Sequence, residues 1–333
     1  MSAARALILG CAGQVLSASE AAFFRTADPW GFILFARNVD TPDQLRRLTG
    51  DLRAAVGRHA PILIDQEGGR VQRMRAPHWR EFLPALDQMA RARDPFRAQW
   101  LRNRLIADDL NRVGIDVNCA PLADLVEEGT HPVLMNRLYG DNVATVVAAA
   151  RAAAEGLLAG GVLPVVKHIP GYGRAKVDSH HELPRVTATL EELEARDFAP
   201  FRALADLPIG MTAHVVVAAI DPDEPATTSP LMMAAIRTRI GFGGLIMSDD
   251  IGMQALSGSM PERAVATLAA GVDIALHCNG DAVEMAALAE AVGPMTIAAA
   301  QRAEAALAWR RPPDGADPDL LAAELAARLR SAA

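Results

Sequence analysis

Two short stretches of this chain hold more ionisable side chains than an ordinary connection between secondary-structure elements needs. The first begins with Lys167 and His168 and continues through a segment rich in Pro and Gly to Asp178 and His180. The second is a Ser-Asp-Asp sequence with Asp249 at its centre. Each follows an apolar run typical of a buried β-strand, and catalytic residues commonly lie on loops carried by a rigid scaffold. The two stretches therefore predict an active site formed by residues that are distant in sequence.

The carboxylate of Asp249 is the first candidate for catalysis. At a strand end that faces a concave site, a carboxylate can attack an anomeric carbon and form a glycosyl ester. Aspartate is also a favoured cap residue, so the position alone leaves a structural role open. Because Asp249 and Asp250 are adjacent, we expect one to point into the site and the other to hold the turn.

His180 is the candidate for proton transfer. Cleavage of a glycosidic bond needs an acid for the leaving oxygen and then a base for water, and an imidazole with an ordinary pKa near ~6.5 can do both. Asp178 can accept a hydrogen bond from the other ring nitrogen and fix the tautomer. An exposed loop histidine without a catalytic role is the alternative that the spacing leaves open.

Further polar residues are candidates for binding a substrate. Lys167 could be a Schiff-base nucleophile, a donor to substrate hydroxyls, or a structural lysine in a salt bridge. Asp65 suits a carboxylate that accepts hydrogen bonds from two sugar hydroxyls, and Gly68-Gly69 lets the backbone approach closely. Arg73 and Arg137 could supply forked donors, or could be surface cations.

Alternating strand and helix patterns must position these residues. Continuous apolar runs of the kind found in parallel strands buried on both faces occur at Ala6–Leu9, Gly31–Phe35, Pro61–Asp65, Ile115–Cys119, Leu163–Lys167, Ile209–Ala213, Gly244–Ser248 and Val272–His277. Capping boxes such as those at Ser17, Thr189 and Ser259 begin helices between them. This strict alternation predicts a single (β/α)8 TIM-type barrel. A doubly wound sheet is the alternative, but no Gly-x-Gly-x-x-Gly follows the first strand to support a dinucleotide site.

The ends of the predicted strands favour an enzyme over an inert scaffold. In barrel enzymes the active site lies at the C-terminal ends of the strands. Most of these ends are polar although the strands are apolar, with candidates at Asp65, Asp124, Lys167, His168, His214, Asp249 and Asn279. We expect residues 1–311 to form the catalytic barrel and residues 312–333 to form a tail with a short helix packed on it.

The composition excludes several classes of protein. The net charge is −7 and the pI about 5.6, which argues against a generic binder of nucleic acid or anionic membranes. Cys11, Cys119 and Cys278 offer neither a disulfide framework nor a paired metal spacing, as expected in a reducing compartment. The apolar run before Cys11 is shorter than the ~7–15 residues of a signal sequence, and no run approaches the ~18 apolar residues of a transmembrane helix. We therefore expect a soluble cytoplasmic protein that does not bind a membrane.

The motifs together resemble those of bacterial β-N-acetylglucosaminidases of glycoside hydrolase family 3, the single-domain cytoplasmic enzymes of cell-wall recycling. The resemblance is carried by Asp65–Arg73, Lys167–Gly171, Asp178–His180 and Ser248–Asp250, and it extends over nearly the whole chain, including Gly31–Asn38 and Ala213–Val215. Each motif is weak alone, whereas the combination is highly specific.

The resemblance implies a retaining exo-hydrolase that removes terminal β-linked N-acetylglucosamine, notably from N-acetylglucosaminyl-anhydromuramyl peptides. It implies that Asp249 is the nucleophile, His180 the acid–base residue and Asp178 its partner. It also implies that the sugar is bound by Asp65, Arg73, Arg137, Lys167 and His168. It implies no metal, no organic cofactor and no obligate protein partner.

Two residues depart from the family pattern. Tyr172 stands between two glycines where the family usually has His, and His181 stands where related chains often carry Lys. Because Tyr172 can still donate a hydrogen bond, we expect altered loop packing rather than lost activity. Three other functions stay open: phosphorolysis at the same site, since a neutral base repels an anionic acceptor less; a lyase that uses Lys167; and a sugar-binding barrel without turnover.

Overall fold

Eight parallel strands form a closed barrel in the computed structural model, which describes residues 4–179 and 181–329. In chain order they are β1 (Arg5–Leu9), β2 (Pro29–Leu34), β3 (Ile62–Ile64), β4 (Val117–Asn118), β5 (Leu163–Ile169), β6 (Ile209–Thr212), β7 (Leu245–Asp250) and β8 (Ile274–His277). Each strand pairs with its neighbours in chain order, and β1 pairs with β8 to close the barrel. The predicted (β/α)8 barrel is confirmed.

The helices pack around the outside of the barrel. Within the described residues they are α1 (Ala18–Ala27), α2 (Pro42–Val56), α3 (Ala85–Arg91), α4 (Pro95–Asn111), α5 (Pro132–Met135), α6 (Val143–Ala159), α7 (Leu190–Ala195), α8 (Phe198–Ala203), α9 (Pro230–Ala235), α10 (Met260–Ala269), α11 (Ala282–Ala291), α12 (Ile297–Leu307) and α13 (Pro318–Leu329). The predicted capping boxes at Ser17 and Thr189 form, because each hydroxyl accepts a backbone N–H and a glutamate three residues later returns the bond. In the described ranges, no helix is both long enough and apolar enough to span a bilayer.

The apolar strands are buried on both faces. Ile8 points into the barrel, whereas Leu7 and Leu9 pack against the surrounding helices. The other strands divide their side chains in the same way between the barrel interior and the helix layer. This two-sided burial explains why the strands appear in the sequence as continuous apolar runs.

Buried carboxylates hold the structure together at the N-terminal end of the barrel. Asp116, just before β4, binds Arg310 at 2.8 Å. Asp273, just before β8, binds Arg237 and Arg302, each at 2.8 Å. Polar residues at this end of a barrel ordinarily serve stability, and the opposite end is where chemistry is expected.

Helix α13 covers one side of the barrel. Leu321 and Leu325 are buried in the same apolar cluster as Leu101 of α4. The guanidinium of Arg97 makes two hydrogen bonds to the carboxylate of Glu324, at 3.0 and 2.8 Å. Apolar burial and a forked ion pair therefore both hold the helix to α4.

All eight strands differ from their predicted ranges by one or two residues at one end or both. The strand predicted at Ile115–Cys119 is limited to β4, while β5 and β7 both run two residues further than predicted. The register of β5 against β6 shifts between Val166 and Ile169, and that of β7 against β8 shifts between Met247 and Asp250. Such bulges are common beside active sites because they redirect side chains.

Candidate active site

A cavity of about 430 Å³ opens at the C-terminal end of the barrel. Its floor is apolar and includes Ile33, Met211 and Leu276 from three different strands. Its walls contain every predicted site residue that the structure describes, namely Asp65, Arg73, Arg137, Lys167, His168, Asp178 and Asp249. The predicted acid–base residue, His180, lies outside the described residues. Its role, like the roles of the other seven, stays a prediction.

The bulges explain how neighbouring residues reach the same cavity. Successive side chains of a regular strand point to opposite faces. Lys167 and His168 lie within the register shift of β5, and Asp249 lies within that of β7. Lys167 and His168 both line the cavity, and Asp249 does so together with Asp250. The irregular strand ends thus bring two adjacent residues from each strand to the site.

The ammonium group of Lys167 is held between two carboxylates. Its Nζ lies 3.0 Å from Oδ1 of Asp65 and 2.7 Å from Oε1 of Glu67. Burial by itself lowers the pKa of Lys167, but the two carboxylates outweigh it and raise that pKa above its ordinary value. Because a Schiff-base nucleophile needs a neutral amine, this arrangement argues against a lyase that uses Lys167.

Two arginines complete this charged cluster. Arg137 makes a forked ion pair with Glu67, at 2.9 Å from Nε and 2.8 Å from Nη2. Nη2 of Arg73 lies 3.0 Å from Oδ2 of Asp65, and its guanidinium carbon lies 5.0 Å from the ring centre of Phe35. The cluster therefore pairs two carboxylates with three cations, of which Asp65 and the cations line the cavity and Glu67 does not.

The cations keep both carboxylates ionised. Burial raises the pKa of Asp65, but Lys167 and Arg73 outweigh it and hold that pKa well below its ordinary value. Burial likewise raises the pKa of Glu67, but Arg137 and Lys167 lower it to about 2. At neutral pH the wall thus presents the carboxylate of Asp65, which accepts hydrogen bonds, and cations that donate them, which suits a ligand rich in hydroxyl groups.

His168 is oriented by the buried carboxylate of Asp124. Its Nδ1 lies 2.8 Å from Oδ2 of Asp124, and the same carboxylate accepts the N–H of His168 and, at 2.7 Å, the N–H of Tyr172. Since an ionised carboxylate only accepts hydrogen bonds, we assign the ring proton to Nδ1. In the neutral ring, Nε2 would then be the nitrogen that carries the lone pair.

The two adjacent acids of β7 take different roles. Oδ1 of Asp249 accepts the N–H of Asp250 at 2.8 Å, and its carboxylate lines the cavity. Oδ1 of Asp250 accepts the N–H groups of Gly252 and Cys278, at 2.9 and 3.2 Å. Burial raises the pKa of Asp250 above its ordinary value. Asp250 therefore holds the turn, as expected for one of two adjacent acids, but it also lines the cavity beside Asp249, so the expected division is only partly seen.

Three residues expected near the barrel mouth, Asp124, His214 and Asn279, do not line the cavity. His214 is buried behind it, where Nε2 donates to the carbonyl oxygen of Asp250 at 2.9 Å and Nδ1 lies 2.8 Å from Oγ1 of Thr227. Asn279 is exposed and binds Glu284 in the turn before α11. His214 and Asn279 do lie near strand ends, as predicted. Their side chains hold neighbouring parts of the chain in place and do not face the cavity.

Glu67 was not singled out as a site residue, although it lies in the same motif as Asp65, two residues further on, which was the available signal. Asp124 was expected near a strand end, but its pairing with His168 was not predicted, because it depends on the packing of the segment after β4 against β5. Within residues 4–179 and 181–329, no three His, Cys, Asp or Glu side chains are arranged to hold a metal ion.

Comparison with known proteins decides the family. The family profile for the glycosyl hydrolase family 3 N terminal domain matches residues 19–308. The chain belongs to glycoside hydrolase family 3. It is therefore a glycosidase, and the resemblance drawn from its motifs is confirmed.

Relatives and solved structures agree with this family. A beta-hexosaminidase of Alkalilimnicola ehrlichii is 40% identical over 283 residues, which are 82% of this chain and 80% of that protein. A beta-hexosaminidase of Chromobacterium violaceum is 37% identical over 336 residues, which are 97% of this chain and 93% of that protein. Native NagZ from Neisseria gonorrhoeae has 29% identity and a TM-score of 0.84, over 98% of this chain and 96% of that one. A second structure of that NagZ contains N-trifluoroacetyl-D-glucosamine. The family 3 barrel and the barrel described above are thus the same fold.

Proposed function

We propose that this chain is a retaining exo-β-N-acetylglucosaminidase that removes terminal β-linked N-acetylglucosamine from peptidoglycan-derived muropeptides. One observation carries the proposal: Asp249 lies in the same cavity as Asp178 and the charged cluster around Lys167. The names of the hexosaminidase relatives and the glucosamine derivative in gonococcal NagZ support the choice of sugar. The apolar floor closes the cavity below, which favours binding of a chain end.

The first step forms a covalent intermediate. A carboxylate oxygen of Asp249 attacks the anomeric carbon, and we assign Oδ2 because Oδ1 accepts the N–H of Asp250. As the new carbon–oxygen bond forms, the bond to the aglycone breaks and its oxygen takes a proton from His180. The product is a glycosyl ester of Asp249 with inverted configuration. Asp178 stabilises the imidazolium of His180 before the proton is transferred.

The second step releases the sugar. The neutral His180 takes a proton from water, and the resulting nucleophile attacks the same carbon and displaces Asp249. Two inversions give overall retention of the β configuration. An imidazole in this role adds no further carboxylate to a cavity that already holds Asp178, Asp249 and Asp250, and close carboxylates raise the pKa of one of them. This electrostatic argument favours His180 over another acid as the proton carrier.

Matched substitutions of the adjacent acids test the nucleophile. Asp249→Asn should lower kcat on an aryl β-N-acetylglucosaminide by at least about 10³-fold, as expected when a nucleophile is removed. Asp250→Asn is the control, because its side-chain oxygen can still accept both N–H groups, and it should keep more than about a tenth of the activity. A fluorinated slow substrate should label Asp249. Activity of the Asp249 variant within tenfold of the wild type would exclude this assignment.

Leaving groups test the role of His180. His180→Ala should lower kcat/KM strongly for substrates with poor leaving groups and only slightly for a dinitrophenyl glycoside, whose leaving oxygen needs no proton. The same assays with and without phosphate distinguish hydrolysis from phosphorolysis. Formation of N-acetylglucosamine 1-phosphate in place of the free sugar would contradict the proposed reaction.

The muropeptide substrate and a cytoplasmic role in peptidoglycan recycling are also part of the proposal. The three cysteines of the chain are buried and free, which is consistent with a reducing compartment. The purified protein should release N-acetylglucosamine from an N-acetylglucosaminyl-anhydromuramyl peptide, as followed by mass spectrometry. Cleavage of aryl glycosides without any release from this peptide would show that the natural aglycone is a different one.

A further inference from the structure

The hydroxyl group of Tyr172 contacts the peptide groups on both sides of Asp178. Its oxygen accepts the N–H of Ser179 at 2.8 Å and donates towards the carbonyl oxygen of Val177 at 3.4 Å. The N–H of Ser179 belongs to the peptide group that follows Asp178, and the carbonyl of Val177 belongs to the peptide group that precedes it. One side chain thus holds the backbone at the residue that the proposed mechanism pairs with the acid–base histidine.

The backbone of Tyr172 is itself fixed to the rigid part of the site. Its N–H donates to Oδ1 of Asp124 at 2.7 Å, and Oδ2 of that carboxylate lies 2.8 Å from Nδ1 of His168. At Gly173, a Cβ atom would lie 1.9 Å from the carbonyl oxygen of Leu125, so the chain there packs too tightly for any side chain. The side chain of Tyr172, which is 5% exposed, therefore extends towards the loop from a backbone that is held in place.

The loop after β7 holds the same segment from the other side. The carbonyl oxygen of the buried Ser179 accepts the N–H of Ala255 at 3.2 Å. Ala255 lies a few residues after Asp249 in the chain. Ser179 thus receives a hydrogen bond from the loop of the nucleophile and donates one to Tyr172, and it connects the two loops that meet at the cavity.

We propose that Tyr172 is a positioning residue for the reaction, and that its hydroxyl sets where Asp178 lies relative to Asp249. The inference rests on the proposed function, because only there does Asp178 act in proton transfer. Tyr172 acts through the backbone of the loop and transfers no proton to the substrate. Loss of the hydroxyl should therefore weaken the step that needs a proton and leave sugar binding largely intact.

The dependence of kcat/KM on the leaving group tests the positioning role, because a merely structural role of Tyr172 would not change that dependence. For Tyr172→Phe, kcat/KM should fall roughly tenfold on substrates with poor leaving groups, the effect of losing a hydrogen bond in the transition state. On a dinitrophenyl glycoside, kcat/KM should fall less than about twofold, because that leaving group departs without a proton. Tyr139, the only other tyrosine of the sequence, is buried outside the cavity lining, and Tyr139→Phe should change kcat/KM by the same factor for both leaving groups.

Hydrogen exchange measures the loop directly, without any substrate. In Tyr172→Phe, exchange of the peptide that contains Ser179 should become faster while exchange in the barrel strands stays unchanged. An equal loss of kcat/KM for all leaving groups, or unchanged exchange at Ser179, would overturn the proposal. If His180→Ala shows no leaving-group dependence, the proposed function fails. If His180→Ala shows it and Tyr172→Phe does not, only the positioning role fails.

Discussion

Asp124 and His168 form a buried pair in which Oδ2 of the carboxylate lies 2.8 Å from Nδ1 of the ring. The pair stands where β5 meets the loop that carries Asp178. Because Asp124 also accepts the N–H of Tyr172, one carboxylate fixes both the ring of a substrate-binding candidate and the start of that loop. A change at Asp124 should therefore affect binding and stability together.

Asp124→Asn tests this dual role. Asparagine has nearly the same shape, but it carries no charge and only one of its side-chain atoms can accept, so one buried donor loses its partner. We expect the free energy of unfolding to fall by about 2–4 kcal/mol and KM to rise roughly tenfold. Urea denaturation and steady-state kinetics measure the two effects. Asp87→Asn, at an exposed position in α3, should change stability by less than about 0.5 kcal/mol. Similar results for the two variants would contradict the role given to Asp124.

Lys167→Met should make the protein sensitive to acid. In the wild type, the pKa of Glu67 is lowered to about 2, so its contribution to stability is complete above the ordinary glutamate pKa of about 4.3 and is lost as pH falls through the folded value. Without the ammonium, the folded pKa values of Glu67 and Asp65 rise, and this loss moves to higher pH. We also expect about 3–5 kcal/mol lower stability at pH 7, because two buried carboxylates lose a shared cation.

Urea denaturation between about pH 3 and 7 checks this prediction over the window where the carboxylates titrate. Lys176, the only other lysine of the sequence, is exposed and provides the matched control. Lys176→Met should keep the wild-type pH profile. If Lys167→Met kept it as well, the ion pairs seen at 2.7 and 3.0 Å would contribute nothing to stability.

The barrel and the location of the site follow from the sequence for identifiable reasons. Parallel strands buried on both faces produce continuous apolar runs, and here both Leu7 and Ile8 are fully buried on opposite sides of β1. Polar residues at the ends of such strands then stand out. Asp65, Lys167 and Asp249 could be predicted to share one cavity because all eight strands of a barrel point the same way.

Contacts that depend on register and packing could not be predicted in this way. Strict alternation would place the side chains of Lys167 and His168 on opposite faces, and only the register shift against β6 brings both to the cavity. Asp124 was expected near a strand end, but it lies in a segment without regular structure, so no periodic pattern marks its pairing with His168. His214 was expected at the barrel mouth but does not line the cavity. A polar residue at a strand end can turn away from the site and hold a neighbouring backbone group, as His214 does with the carbonyl oxygen of Asp250.

Thr227→Val tests the support that His214 gives to the end of β7. Oγ1 of Thr227 lies 2.8 Å from Nδ1 of His214 and 2.8 Å from Oγ1 of Thr212. Nε2 of His214 donates to the carbonyl oxygen of Asp250, and Oγ1 of Thr227 also donates towards the carbonyl oxygen of Ala213 at 3.1 Å. Valine removes the hydroxyl and its hydrogen bonds without changing the shape, and we expect a loss of about 1–3 kcal/mol in unfolding free energy.

The neighbouring threonine gives a control for this substitution. Thr228 is partly exposed and binds Glu224, so Thr228→Val should cost less than about 0.5 kcal/mol. Thr227→Val should also lower kcat several-fold, since Asp249 immediately precedes the backbone that His214 holds. Equal stability of the two variants in urea would show that the hydrogen bond to His214 is dispensable.

Arg137→Lys tests whether Arg137 contacts the sugar or only supports Glu67. Lysine keeps the charge but cannot reproduce the forked pair at 2.9 and 2.8 Å, so we expect kcat/KM to fall roughly tenfold. A double-mutant cycle with Glu67→Gln separates the two roles. If Arg137 donates to the substrate, Arg137→Lys still lowers kcat/KM in the Glu67→Gln background, which is the result we expect. If the effect disappears in that background, Arg137 acts only through Glu67, and the sugar-binding role predicted for it is wrong.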